Sequence, residues 1–220
     1  MIYYVYCHDC KRLIFKGAKA DAIKISCGKH GITFATLEYI NEHYPLIDTS
    51  DWHKGELTVI EGDATSPQTT YPNEISIIPH VCNSLGGWGA GFVLALSRKW
   101  DKPKQIYLSY LLGQKGLPVL GKTCFAKIDN TISVANMIAQ NGYISADNPI
   151  PLSYKALVNC MADVAEYVLY IQSKTTNRVV IHCPKFGSEL SGGSWPFILE
   201  LIRELWIEQG IDVVVYEWVG

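Results

Sequence analysis

The stretch Ile77-Ile78-Pro79-His80-Val81-Cys82-Asn83-Ser84-Leu85-Gly86-Gly87-Trp88-Gly89-Ala90-Gly91-Phe92 passes from a largely apolar run through a glycine-rich turn into a helical pattern. A run of this kind predicts a strand buried on both faces, as central strands beneath helices are. Glycines permit positive φ and let a ligand touch the backbone, and the first turn of the following helix leaves N–H groups unpaired at the positive end of its dipole. Taken alone the segment reads equally as a phosphate cradle or as a turn that brings a helix close to a sheet.

A second segment repeats the pattern. Val179-Val180-Ile181-His182-Cys183 leads into Pro184-Lys185-Phe186-Gly187-Ser188-Glu189-Leu190-Ser191-Gly192-Gly193-Ser194-Trp195 and then into another helical stripe. Two such units on one sheet aim two sets of free amides into one crevice, where a pyrophosphate fits. Each helix start contributes roughly 0.3 to 1 kcal/mol toward an anion, so net positive charge is not required. A third piece, Leu57 to Thr65, is an early strand ending in Gly62-Asp63-Ala64. A carboxylate there can accept a hydrogen bond from an exocyclic amine such as that of adenine, or serve as a turn aspartate.

Working outward, β-rich runs alternate with helical patterns from residue 56 on, which predicts an α/β layer fold. The expected strands are Leu57 to Ile60, Ile75 to Cys82, Cys124 to Ile128, Ser133 to Ala139, Val179 to Cys183 and Val213 to Trp218. One helix is expected over Phe92 to Trp100, stopped before Pro103. A second is capped by Ser153 and runs to about Ser173, with Leu157, Met161, Ala165 and Val168 on one face. A third is capped by Ser194, with Pro196 in its first turn, a stripe of Ile198, Leu201, Ile202, Leu205 and Trp206, and Gly210 as terminator.

Composition limits the function classes. The chain has 220 residues, 48% hydrophobic and 18% charged, with 19 Lys plus Arg against 21 Asp plus Glu. Disorder needs low hydrophobicity and high net charge, so the chain folds around one dominant core. A formal net charge of -2 supplies no basic stripe and excludes binding of nucleic-acid polymers by general electrostatics. No apolar run approaches the roughly 18 residues that span a bilayer, and the start shows no export signal, so the expectation is a cytoplasmic protein with no membrane association. Seven cysteines then read as reduced thiols or metal ligands rather than a disulfide framework.

Residues 1–55 read as a small amino-terminal extension, followed by a main domain over 56–220. The extension holds three of the seven cysteines and four of the six histidines, with a short helical pattern around Thr36 to His43. Cys7-x2-Cys10 and Cys27-x2-His30, 16 residues apart, have the spacing of two knuckles of one structural zinc site, with His8 competing with His30 for the fourth place. Four such ligands leave no open position, so the metal would staple a segment too short to build its own core. Ordinary reduced thiols are the alternative.

Gly62-Asp63-Ala64, His80 to Phe92, Val134-Ala135-Asn136-Met137-Ile138-Ala139-Gln140 and Pro184 to Trp195, in this order along the chain, resemble the macro domain, a module that binds ADP-ribose and its derivatives. The resemblance covers about residues 56–220. Within the family it is most similar to the branch of the yeast-type ADP-ribose-1''-phosphate phosphatase and the terminal ADP-ribose hydrolase. It implies a three-layer α/β/α fold with a mixed central sheet and no cofactor for that domain. Residue by residue, it implies that Asp63 holds the adenine amine with the Ala64 backbone beside it, and that Asn83 faces the distal ribose. Gly89, Ala90, Gly91 and Phe92 would wrap the pyrophosphate from one side, and Gly187, Ser188, Glu189, Leu190 and Ser191 from the other.

The same resemblance limits the chemistry. Where the terminal hydrolase uses a lysine and an aspartate, this sequence has Ser97 and Ser191, and Arg98 and Lys99 fall on other faces of the helix, which argues against a covalent lysine mechanism. Asn83 with a positioned water is the catalytic route the family leaves open, and His80 is a candidate general acid or base or a structural donor. Cys82, at the end of an apolar strand, reads as a buried thiol rather than a nucleophile. The expectation is binding of ADP-ribose or a close derivative with hydrolytic removal of a group from its distal ribose. That group is phosphate in ADP-ribose-1''-phosphate or the link to an ADP-ribosylated protein. The alternative is a non-catalytic module that reads ADP-ribosylated targets or sequesters an adenine-dinucleotide-type signal. A generic nucleotide domain is disfavoured because neither G-x-G-x-x-G nor G-K-[ST] is present.

Overall fold

Six strands of the larger unit form one sheet: β4 (Leu57–Glu61), β5 (Ile75–Asn83), β6 (Lys122–Lys127), β7 (Ile132–Gln140), β8 (Val179–Pro184) and β9 (Asp212–Glu217). Four helices accompany them: α1 (Phe92–Lys99), α2 (Lys102–Gly113), α3 (Tyr154–Gln172) and α4 (Trp195–Leu205). The computed structural model describes residues 3–7, 12–17, 32–35 and 54–218, with residue 173 excepted. The chain divides into two compact units, Met1–Lys54 and Gly55–Gly220.

In the first unit β1 (Tyr3–Cys7), β2 (Arg12–Gly17) and β3 (Ile32–Ala35) form an antiparallel sheet of order β2-β1-β3. Cys7 is paired with Arg12 on one side and with Ile32 on the other. Of the expected zinc ligands, Cys10, Cys27 and His30 lie outside the described residues, and for Cys7 only the strand backbone lies within them. The helical pattern at Thr36 to His43 also lies outside them.

The larger sheet has the order β4-β9-β8-β5-β7-β6. The first five strands in that order run parallel, and β6 pairs antiparallel with β7 at the edge, so the sheet is mixed. Because side chains alternate across a strand, the central strands feed two cores. Ile77, Met137, Ile181 and Val213 meet Leu157, Met161 and Val168 of α3 and Ile198 and Ile202 of α4 on one face. Ile78, Val134 and Ile138 meet Val93 and Leu96 of α1 and Tyr107 of α2 on the other. The three layers follow from this double burial.

Local signals place most element ends. Ser153 Oγ accepts the Ala156 N–H at 3.3 Å and caps α3, and Ser194 stands in extended conformation before α4 with Pro196 in its first turn. Two elements differ from expectation. α1 ends at Lys99, before Pro103 as expected, but an unexpected helix, α2, begins at once with Pro103 in its first turn, where its missing N–H has no partner to lose. The apolar residues of α2, Ile106, Tyr107, Leu108, Tyr110, Leu111 and Leu112, run around the helix and give no stripe that a periodicity argument could find. The last helix also stops early, at Leu205. Trp206 turns into the core, where its Nε1 donates to the Met161 carbonyl at 2.9 Å, and a single 3-10 turn, Ile207–Gln209, precedes Gly210 at φ 77°.

Among the described residues no helix is long and apolar enough to cross a membrane. Leu157, with 0% of its surface exposed, lies at the centre of the α3 interface, so Leu157→Ala is expected to destabilise the domain by about 2 to 5 kcal/mol. The exposed neighbour Glu166→Ala should stay within about 0.5 kcal/mol; urea denaturation of both variants measures the contrast.

Candidate functional site

All five parallel strands end at one edge of the sheet, and the segments leaving them surround a cleft of ≈ 720 Å³. Gly62, Asp63 and Ala64 reach it from β4, and His80, Val81, Gly91 and the first turn of α1 from β5. Gln140 comes from β7, Pro184 to Gly187 and Glu189 to Ser191 from β8, and Tyr216, Glu217 and Trp218 from β9. This is the carboxyl-end crevice in which open parallel sheets bind ligands.

The first loop is shaped from beneath. Asn83 Oδ1 accepts the N–H groups of Leu85 at 2.8 Å and Gly87 at 3.0 Å, and its Nδ2 donates to the Gly87 carbonyl at 2.8 Å. Tyr107 Oη donates to the Asn83 carbonyl and accepts the Gly86 N–H at 3.1 Å, while Trp88 Nε1 donates to Ser97 Oγ at 2.8 Å. The loop ends at Gly91, whose φ of 74° favours glycine and whose absent Cβ would stand 3.4 Å from Leu190 Cδ1 of the second loop. The two loops therefore meet over the cleft.

The second loop folds on itself before its helix begins. Gly193 N–H donates to the Gly187 carbonyl at 2.9 Å, and a Cβ at Gly193 would lie 2.5 Å from that same oxygen. Ser191 Oγ donates to Gln140 Oε1 at 2.7 Å, and Gln140 Nε2 donates to the Gly142 carbonyl at 2.9 Å, which ties the loop to the end of β7. The start of α4 is displaced by this turn: the Ser194 N–H is taken by Tyr154 Oη at 2.7 Å, and neither Ser194 nor Trp195 lines the cleft. The second set of amides belongs to the loop rather than to a helix start. Among the described residues the backbone N–H groups of Gly91, Phe92, Glu189, Leu190 and Ser191 donate to no protein acceptor.

The structure brings Asp63, Ala64, His80, Gly91, Phe92, Gly187, Glu189, Leu190 and Ser191 to one cleft, but not Asn83, Gly89, Ala90 or Ser188. The Asn83 amide is consumed on both sides by the turn it holds. Asp63 is braced at the opposite end, its Oδ1 accepting the Thr65 N–H and its Oδ2 the Thr65 hydroxyl, each at 2.8 Å. Ser97 faces Trp88 rather than the cleft, and Lys99 Nζ is held by the Thr65 carbonyl at 2.8 Å and by Ser66 Oγ, so α1 lines the cleft with Arg98 and no lysine. Cys82 is 3% exposed, and burial pushes its thiol well up, away from the thiolate a nucleophile requires. Tyr216 and Trp218 line the cleft with no site role expected from the sequence, Gln140 was expected only as the end of a motif, and Arg98, expected on another face of the helix, lines it as well. Gln140 closes an apolar strand run, and that polar residue at a strand end was the signal available.

His80 lies against Asn136, its Nε2 2.7 Å from Asn136 Oδ1, with Trp88 edge-on to its ring. Burial lowers its pKa from 6.5 to about 4, against the smaller opposing effect of the Asn136 hydrogen bond. The ring is therefore neutral at neutral pH. Below pH 6.5 the unfolded chain takes up a proton that the folded chain refuses, so the stability due to this site is complete above pH 6.5 and is lost as pH falls toward 4. Chemical denaturation across that window should show a loss of about 3 kcal/mol from this residue, reduced in His80→Gln.

No family model matches the chain. Among solved structures, a protein of unknown function from Bacteroides thetaiotaomicron is 37% identical with a TM-score of 0.66, over 75% of this chain and 99% of that one. A complex of Thermosipho africanus DarTG with ADP-ribose shares the fold at a TM-score of 0.55 and 14% identity, over 75% of this chain and 42% of that one. Among curated proteins, the ADP-ribose 1''-phosphate phosphatase of Candida albicans is 22% identical over 120 residues, 54% of this chain and 74% of that protein. A macrodomain protein from Streptomyces coelicolor is 33% identical with a TM-score of 0.62, over 75% of this chain and 100% of that one. With the mixed sheet, the two glycine loops and this match over the whole of the Streptomyces protein, the chain belongs to the macrodomain family.

Proposed function

We propose that the cleft binds ADP-ribose or a close derivative and that the protein hydrolyses a group from the distal ribose. The observation that carries this reading is the pair of loops at adjacent strand ends whose backbone N–H groups, from Gly91 and Phe92 on one side and Glu189 to Ser191 on the other, have no protein acceptor. Such groups retain their full capacity to bind an anion, and a pyrophosphate between two loops takes several at once. At one end Asp63 would receive the adenine amine. At the other, Ser191 and Gln140 would face the distal ribose and hold the attacking water, with the loop amides stabilising charge as the bond breaks. The phosphatase name of the Candida relative supports phosphate at the distal ribose as the leaving group.

A non-catalytic reader of ADP-ribosylated proteins is the second reading. It is favoured by α1, which offers Arg98 to the cleft while Lys99 is engaged by Thr65. Calorimetry with ADP-ribose, ADP and AMP, beside phosphate release from ADP-ribose-1''-phosphate, separates the two. ADP-ribose is expected to bind, Gly91→Glu to abolish binding by filling the space under Leu190, and Asp63→Ala to weaken adenine-bearing ligands selectively. Absence of any heat with ADP-ribose would reject the assignment. Binding without turnover of the phosphate or of an ADP-ribosylated protein would select the reader.

For the amino-terminal unit we propose a structural zinc ion held by Cys7, Cys10, Cys27 and His30. The ligand spacing supports it, as does the register of the described strands: Cys7 pairs with Arg12 and Ile32, which follow Cys10 and His30 by two residues each. Elemental analysis of protein purified without chelator should find close to one zinc per chain; a value near zero after metal-replete growth counts against the site.

A further inference from the structure

Above β8 and β9, on the face that α1 and α2 cover elsewhere, the sheet is roofed by residues 62–74, which form neither helix nor strand. A loop laid on a sheet leaves backbone N–H groups that must find partners. Three of them find acceptors in two buried side chains, Glu74 at the end of the loop and Tyr216 beneath it, which His182 links; Glu74, His182 and Tyr216 are 4%, 0% and 2% exposed. Glu74 Oε2 accepts the N–H groups of Thr70 at 3.1 Å and Tyr71 at 3.4 Å, and Tyr216 Oη accepts that of Gln68 at 2.8 Å. His182 joins the two acceptors, with Nδ1 2.9 Å from Tyr216 Oη and Nε2 2.7 Å from Glu74 Oε1.

The direction of this chain is determined by its ends. The Glu74 carboxylate can only accept, so the imidazole proton sits on Nε2; Nδ1 of the neutral ring is then an acceptor and takes the Tyr216 hydroxyl proton, while Tyr216 Oη keeps a lone pair for the Gln68 N–H. Burial favours the neutral imidazole that this order requires. The Tyr216 ring also lines the cleft, together with Asp63 and Ala64 at the start of the loop. A buried polar chain adds little stability over apolar residues of similar volume, whereas it allows the loop one register on the sheet.

We propose that Glu74 and His182 are positioning residues which, through Tyr216, hold the 62–71 loop so that Asp63 can discriminate the ligand's base. This rests on the reading of Asp63 as the group that receives adenine. The test compares Tyr216→Phe, His182→Ala and His182→Gln by calorimetry with ADP-ribose and with inosine diphosphate ribose, in which a carbonyl replaces the exocyclic amine, and by amide hydrogen exchange at Gln68 and Thr70. The wild type is expected to prefer ADP-ribose. Tyr216→Phe and His182→Ala should lower that preference about tenfold and speed exchange at Gln68. His182→Gln, whose amide can accept from Tyr216 and donate to Glu74, should restore both. A wild type that binds the two ligands alike, an equal loss of both in Tyr216→Phe, or no rescue by His182→Gln overturns the proposal. If the wild type binds neither ligand, the ADP-ribose reading fails, and unchanged exchange at Gln68 in Tyr216→Phe then overturns the positioning role by itself.

Discussion

Parallel pairing of β4, β9, β8, β5 and β7 is the constraint on which the rest of the larger unit depends. Parallel neighbours cannot be joined by tight hairpins, so β4–β5, β5–β6, β7–β8 and β8–β9 are joined by long connections, the last three of which supply the helices that bury both faces, while the antiparallel pair β6–β7 is joined by a short turn. The same constraint turns five carboxyl ends to one edge. A cleft with walls from five separate chain segments follows from the pairing, whatever residues those segments carry.

What the segments carry is then adjusted by side chains that never meet a ligand. Asn83 and Tyr107 hold the first turn, Trp88 is seated against Ser97, and Ser191 is tied to Gln140. These bonds hold the loops with their outward amides unpaired. Preorganised donors of this kind bind an anion without rearranging, which is why a chain of net charge -2 can present a phosphate cradle. Within the cleft Lys185 is ion-paired with Glu217, and no ion pair engages Arg98 among the described residues.

The sheet solves its covering problem in two ways. Helices cover it where the strands present Ile, Val, Met and Ala, because a helix satisfies its own backbone. Over β8 and β9 an irregular segment does so, and there Tyr216 of β9 accepts a loop N–H while His182 of β8 links it to Glu74 at the end of the loop.

Features whose cause is local were legible in the chain. The apolar runs gave the strands, Ser153 and Ser194 marked helix starts, and the two glycine segments stood out because glycine has few reasons to cluster except turns and close backbone approach. Pro103 marked the end of α1, but the same ring opens α2, which escaped because its apolar residues show no stripe. Only the tertiary structure decided which residues share a cleft. Gln140, Tyr216 and Trp218 become neighbours of Asp63 through strand order, and Glu74 meets His182 across 108 residues. Asn83 could be picked out from its place after a buried strand, but its engagement by Gly87 depends on how the turn closes. Periodicity and capping act over a few residues and can be read from one chain; pairing and burial act between distant segments, and their outcome is settled when the whole sheet has formed.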